Sequence, residues 1–147
     1  LMGDLSQTGA PWIALAILGV ALLAALPFAR ELNLLARGQD TAQALGVDVK
    51  RLRFTVYAIA SLVTAVAVTS AGSIGFVGLV VPHLVRLAIG NDQRLLLPAS
   101  VLAGGALLTL ADTLARTIVA PQQLPVGVLT ALIGVPVFLF LLARHPR

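Results

Sequence analysis

Polar side chains are scarce in this sequence, and each one asks for a reason. His83 stands in VVPHLVR, directly after Pro82 and three residues before Arg86, within an otherwise apolar stretch. A buried histidine is common material for a metal ligand or a proton relay. Here it has no companion: the other histidine is His145, in the tail, and there is no cysteine. The lack of cysteine excludes disulfides, thiolate metal sites and cysteine nucleophiles. His83 therefore fits a group that hydrogen-bonds neighbouring backbone better than it fits a ligand, and no metal site is expected. An intramembrane enzyme would need a nucleophile converging with a base or metal, and Ser61, Ser70, His83 and Asp112 fall into no such arrangement. Asp112 and Arg116 are four apart, which puts them on one helix face as a local ion pair. A proton- or sodium-driven secondary transporter would need an ionisable group at mid-membrane. Asp112 falls near the edge of an apolar run, and no other carboxylate falls inside one.

These side chains are set in a chain made for lipid. Of 147 residues, 59% are hydrophobic and 11% charged, with a mean hydropathy of +0.99. Soluble domains carry about 25% charged residues, and a soluble fold could not hide this much apolar surface. The net charge of +4 is small and scattered, which argues against nucleic-acid binding. The sequence opens on Leu1, and the run from Trp12 to Phe28 lacks the basic flank and cleavage site of a signal peptide. Both features fit the later part of a longer protein.

A bilayer core takes about 20 apolar residues as a helix. The runs predict five spans, near 11–29, 54–71, 74–89, 95–110 and 124–143. They are continuously apolar, without the period-two alternation of a barrel, so the fold class is an all-α polytopic bundle, a single membrane domain over 1–147. Residues 30–53 read as a loop with short helices, and Pro121–Pro125 as a turn. With alternating topology, Arg30, Arg37, Lys50, Arg51, Arg53, Arg86, Arg94, Arg144 and Arg147 all fall on one side and only Arg116 on the other. The cation bias makes that side cytoplasmic, with the first residues outside and the C-terminus inside. The third span is barely long enough and contains Pro82, His83 and Arg86. It is expected to be a short or broken helix buried among others, with Arg86 snorkelling to the cytoplasmic surface.

Four stretches in order, GQDTAQALGVDVKRLR (38–53), GSIGFVGLVVPHLVRLAIGNDQRLLLPAS (72–100), LADTLAR (110–116) and LPVGVLTALIGVPVFLFLL (124–142), resemble the FecCD-type permeases. These are the membrane subunits of ATP-binding-cassette importers for iron–siderophores, haem and vitamin B12. The resemblance runs from about Trp12 to the end and matches the last five of roughly ten spans of a type II importer permease. It implies a non-enzymatic subunit in the bacterial cytoplasmic (inner) membrane, paired with a second permease subunit, alike or paralogous. Two cytoplasmic ATPases would bind the ATP, so this chain holds no cofactor, and an extracytoplasmic binding protein would deliver the cargo. The family bias favours a ferric siderophore, with haem or cobalamin as alternatives.

The resemblance also gives the residues roles. The loop 30–53 becomes the ATPase-coupling segment. Gly38, Ala42 and Gly46 keep it slim, Asp40 with Thr41 suits a helix start, Leu45 and Val47 supply apolar knobs, and Gly46 ends a helix over about 40–45. Without the resemblance this would be an ordinary charged loop. Gln39 replaces the acidic residue often found there. Arg116, oriented by Asp112, becomes a docking point for the binding protein. The last span lines the translocation path, with Thr130 and Gly134 as its candidate lining residues. Pro82, His83 and Arg86 become structural, shaping a helix break.

Overall fold

The computed structural model describes residues 11–118 and 126–144. Helix α1 (Pro11–Ala25) opens on proline, whose missing N–H belongs to an unpaired helix end anyway. It runs through a 3-10 turn (Leu26–Phe28) into α2 (Ala29–Leu35), so the first span reaches Leu35 and not Ala29. Then come α3 (Gln39–Ala44), α4 (Val49–Ala71), α5 (Val77–Ile89), α6 (Gln93–Ile118) and α7 (Val126–Arg144). Among the described residues, four stretches are long and apolar enough to cross a membrane: Pro11–Leu35, Val49–Ala71, Gln93–Thr117 and Val126–Ala143. The fifth expected span is α5, whose 13 residues make about 20 Å of helix against a hydrocarbon core of about 30 Å.

Two boundaries differ from the apolar runs. The fourth span does not stop at Leu110, because α6 continues to Ile118 and carries Asp112 and Arg116 within it. Charge ends an apolar run but not a helix, since the backbone bonds persist and the pair satisfies itself along the face. The break in the third span lies upstream of Pro82. The chain leaves α4 at Gly72 and does not resume helix until Val77, while α5 passes through Pro82 unbroken. Pro82 is the sixth helical residue, so its missing N–H removes one bond, to the carbonyl of Gly78. The helix instead opens on Phe76, a non-glycine residue in the left-handed region (φ 66°). The Phe76 carbonyl accepts from the Val80 amide at 2.9 Å. The predicted turn at 121–125 and the tail residues His145 and Arg147 lie outside the described residues.

The helices form a bundle in which α5 packs on α6 and α7, α6 on α7, α1 on α4, and α2 on α6. Its buried positions are mostly small or β-branched: Ala21, Ala29, Val49, Val80, Val81, Ala111, Ala115 and Val126. Lipid offers no hydrophobic drive for helices to associate, so close approach through small residues supplies the packing. Large apolar side chains point outward instead, with Phe54 77% and Leu102 75% exposed, as expected where lipid or another protein surface replaces water. Thr55, Thr64, Thr69, Thr109, Thr113 and Thr117 each donate a hydroxyl to the carbonyl four residues earlier, at 2.7–3.0 Å. Polar groups that would otherwise face hydrocarbon are thereby satisfied within their own helix.

Candidate coupling and docking sites

The end of the bundle that holds α3 also holds most of the cations. Arg30, Arg37, Lys50, Arg51 and Arg53 lie on or beside α2, α3 and the start of α4, and Arg86 and Arg94 flank the α5–α6 turn. Helix α3 is bracketed by two glycines at positive φ, Gly38 (123°) and Gly46 (84°). At its far end the Gly46 amide donates to the Gln43 carbonyl at 2.9 Å and the Val47 amide to the Ala42 carbonyl at 3.0 Å. This is a Schellman closure with Leu45 as C-cap, and Gly46 occupies the left-handed position where a Cβ is disfavoured. The expected helix over 40–45 is therefore present one residue earlier, over 39–44. Its start corrects the expectation: Gly38 is the N-cap with no side-chain bond, and Asp40 lies inside the first turn, where its charge faces the positive end of the helix.

Packing divides α3 into two faces. Ala42 is wholly buried where α3 meets α2 and α4, whereas Leu45 is 62% exposed. Asp40, Thr41, Gln43 and Ala44 are also exposed. Gln39 Oε1 accepts from Arg53 Nη2 at 3.0 Å, so Gln39 ties α3 to α4. Asp48 caps α4, its Oδ1 accepting from the Arg51 amide at 3.1 Å. Between α2 and the 45–48 turn lies a cleft of ≈ 600 Å³ whose wall includes Phe28, Glu31, Leu34, Leu45 and Arg51.

At the opposite end of α6, Arg116 Nε donates to Asp112 Oδ2 at 2.8 Å, with the side chains 42% and 23% exposed. The pair expected from spacing forms and is open at its arginine. Thr130 and Gly134, in contrast, face inward. Thr130 is buried and its hydroxyl donates to the Gly127 carbonyl at 3.1 Å. A Cβ added to Gly134 would lie 2.5 Å from Phe76 Cβ. Both residues border a void of ≈ 30 Å³ with Phe76, Val80, Leu107 and Ala111. The open side of α7 is a shallow apolar concavity of ≈ 590 Å³, lined by Ser73, Gly127, Ala131, Val135 and Pro136 among others. His83 is half-buried with its Nε2 shielded from solvent, and Arg86 is exposed in the last turn of α5. Among the described residues no three His, Cys, Asp or Glu side chains gather as a metal site would require.

Two contacts escaped the sequence reading. One is the fit of Phe76 onto Gly134. The other joins Asn33 of α2 to the head of α6: Asn33 Nδ2 donates to Asp92 Oδ1 at 2.8 Å, and Asn33 Oδ1 accepts from the Gln93 amide at 2.9 Å. Those two donors, the Asn33 carboxamide first and then the Arg94 amide, hold the Asp92 carboxyl below its ordinary range. An aspartate directly before a helix is a legible N-cap signal, but nothing local names a partner 59 residues away.

The architecture is that of a polytopic helical membrane protein that displays a short helix, closed by glycine at both ends, at its cation-rich end. More narrowly, the chain belongs to the FecCD transport family, whose profile matches residues 1–144. It is 51% identical over 97% of its length to the cobalamin import system permease protein of Halobacterium salinarum, covering 38% of that protein. It is 46% identical over 98% of its length to the hemin transport system permease protein of Yersinia pestis, covering 44%. With the Fe(3+) dicitrate permease protein FecD of Escherichia coli it shares 48% identity over 90% of its length, covering 42%. A solved chain from a metal-chelate type ABC transporter in an inward-facing conformation superposes with a TM-score of 0.80 at 36% identity, over 91% of this chain and 46% of that one. The chain thus spans less than half the length of these relatives.

Proposed function

We propose that this chain is the membrane-crossing part of a permease in an ATP-driven importer that moves a metal chelate inward across the cytoplasmic membrane. The observation that carries the reading is α3, a six-residue helix closed by glycines at both ends, with Leu45 and Ala44 presented outward. A helix this short is not stable by itself; the buried Ala42 and the Gln39–Arg53 bond hold it rigid against α2 and α4. Rigidity with an exposed apolar knob suits a lever that a separate ATPase grips. The cations around it favour a cytoplasmic position for that end, and an outer one for the opposite end, with Arg116. There the exposed guanidinium offers a docking charge to an acidic lobe of a binding protein, and Asp112 fixes its direction. Two permease copies or close paralogues would enclose the path. Its wall would be the open face of α7 through Gly127, Ala131 and Val135, with Thr130 and Gly134 setting that face from behind. The scarcity of ligating groups suits a chelate carried whole. Among chelates, ferric siderophores are favoured over haem and cobalamin.

The test uses the full-length permease carrying Ala44→Cys, co-expressed with its cognate ATPase bearing a cysteine in its docking cleft. A nucleotide-sensitive crosslink is the expected result. No crosslink with both partners folded and present would overturn the reading.

A further inference from the structure

We propose that Asn33 and Asp92 are a pair of positioning residues, a strut that carries displacement of α3 to α6. The inference rests on the reading of α3 as the ATPase contact. Helix α3 packs on α2, from which it is separated by three residues. The carboxamide of Asn33, near the end of α2, is engaged at both polar atoms by consecutive residues of another element: Asp92 at 2.8 Å and the Gln93 amide at 2.9 Å. A two-point bond fixes direction as well as distance. It lands where α6 begins, because Asp92 Oδ1 also accepts from the Arg94 amide at 3.1 Å and the Asp92 carbonyl accepts from the Leu96 amide at 2.8 Å. From there α6 runs on to Ile118, reaching Arg116 of the Asp112–Arg116 pair after about 35 Å. The Asn33–Asp92 bond is exposed, so it adds little to stability; what it supplies is registration between two elements. A continuous helix anchored at one end beside the coupling helix and carrying the outward arginine near the other joins the two sites the permease must keep in step. A demonstrated two-state displacement is what makes such a path physical.

The experiment uses the full-length permease in nanodiscs with its cognate ATPase, other cysteines replaced. Ala44→Cys reports docking by crosslink, and Leu110→Cys on the exposed face of α6 reports motion as the ratio of thiol-labelling rates with and without ATP. Asn33→Asp sets two carboxylates against each other, and Asn33→Asp with Asp92→Asn restores a donor facing an acceptor. The strut predicts that Asn33→Asp keeps the crosslink while the nucleotide response at position 110 falls by about fivefold, and that the double variant recovers it. A full response in Asn33→Asp, no recovery in the double variant, loss of the crosslink in Asn33→Asp, or no nucleotide response at position 110 in otherwise unmodified permease would each overturn the strut. Lack of the crosslink without any change at Asn33 would instead remove the permease reading on which it stands.

Discussion

Replacing Gly134 by alanine pushes a methyl group into Phe76. The new Cβ would stand 2.5 Å from Phe76 Cβ and 3.1 Å from Cγ, where carbon atoms settle at about 3.5–4.0 Å. About 1 Å of separation has to be found. A flexible side chain would swing away, but the clashing atom is a Cβ, fixed by the Phe76 backbone at φ 66°. Either α5 and α7 part or Phe76 leaves its left-handed well, and overpacking of this kind costs about 1–3 kcal/mol. Phe76→Gly removes the clashing atom and relieves about 1–2 kcal/mol of left-handed strain, while forfeiting the burial of a half-exposed ring. Gly134→Ala should therefore destabilise the full-length permease by about 1–3 kcal/mol in the native background and by under about 0.5 kcal/mol in the Phe76→Gly background. Denaturing-detergent titration of all four proteins in micelles measures this cycle. An equal penalty in both backgrounds, or none in either, refutes the contact.

On the proposed function, Ala44→Trp should lower ATP-driven uptake of the permease's cargo by about tenfold or more while the permease still assembles; unchanged uptake counts against docking at α3. Arg116→Glu should weaken association with the cognate binding protein by about 1 kcal/mol at low salt and less at high salt, measured by titration calorimetry; insensitivity to both reversal and salt would sink the docking role. The Asp92 carboxyl is held low by Asn33 and Arg94, so its contribution is present above the ordinary aspartate value of about 3.9 and is lost as pH falls through the lower folded value. The stability gap between native permease and Asp92→Asn, small because the bond is exposed, should accordingly be present at neutral pH and close in acid; a gap that does not change with pH contradicts the bond.

How much of this was legible in the sequence depends on which force sets each feature. Apolar runs report the solvent, and lipid-facing stretches announced α1, α4, α6 and α7. Glycine reports backbone conformation, and Gly46 announced the end of α3 to within a residue, whereas its start was read from Asp40 and lies at Gln39 with Gly38 as N-cap. Helix ends are set by backbone bonding, so the apolar run stopping at Leu110 was a poor guide to α6, which continues to Ile118. Pro82 looked like a break, but a proline in the second helical turn gives up a single bond, and the discontinuity went to 72–76. The expectation that Thr130 and Gly134 line a path came from the family resemblance; the small residues of α7 also serve packing, and Phe76 lies against Gly134. The Asn33–Asp92 bond was not legible because it is a property of the bundle and of no single segment.

The shortness of α5 has a consequence for how the chain enters the bilayer during synthesis. Thirteen residues that include a proline, a histidine and an arginine fall well below the about 20 apolar residues that partition unaided, and each charged group weighs against insertion. Released from the ribosome alone, α5 would remain at the membrane surface. Helix α6, twice as long and able to cross by itself, follows after three residues, and the two are thus expected to insert as one hairpin. Insertion of α5 is therefore expected to wait for α6 to emerge, so that a helix too short to cross by itself is carried inward by its neighbour.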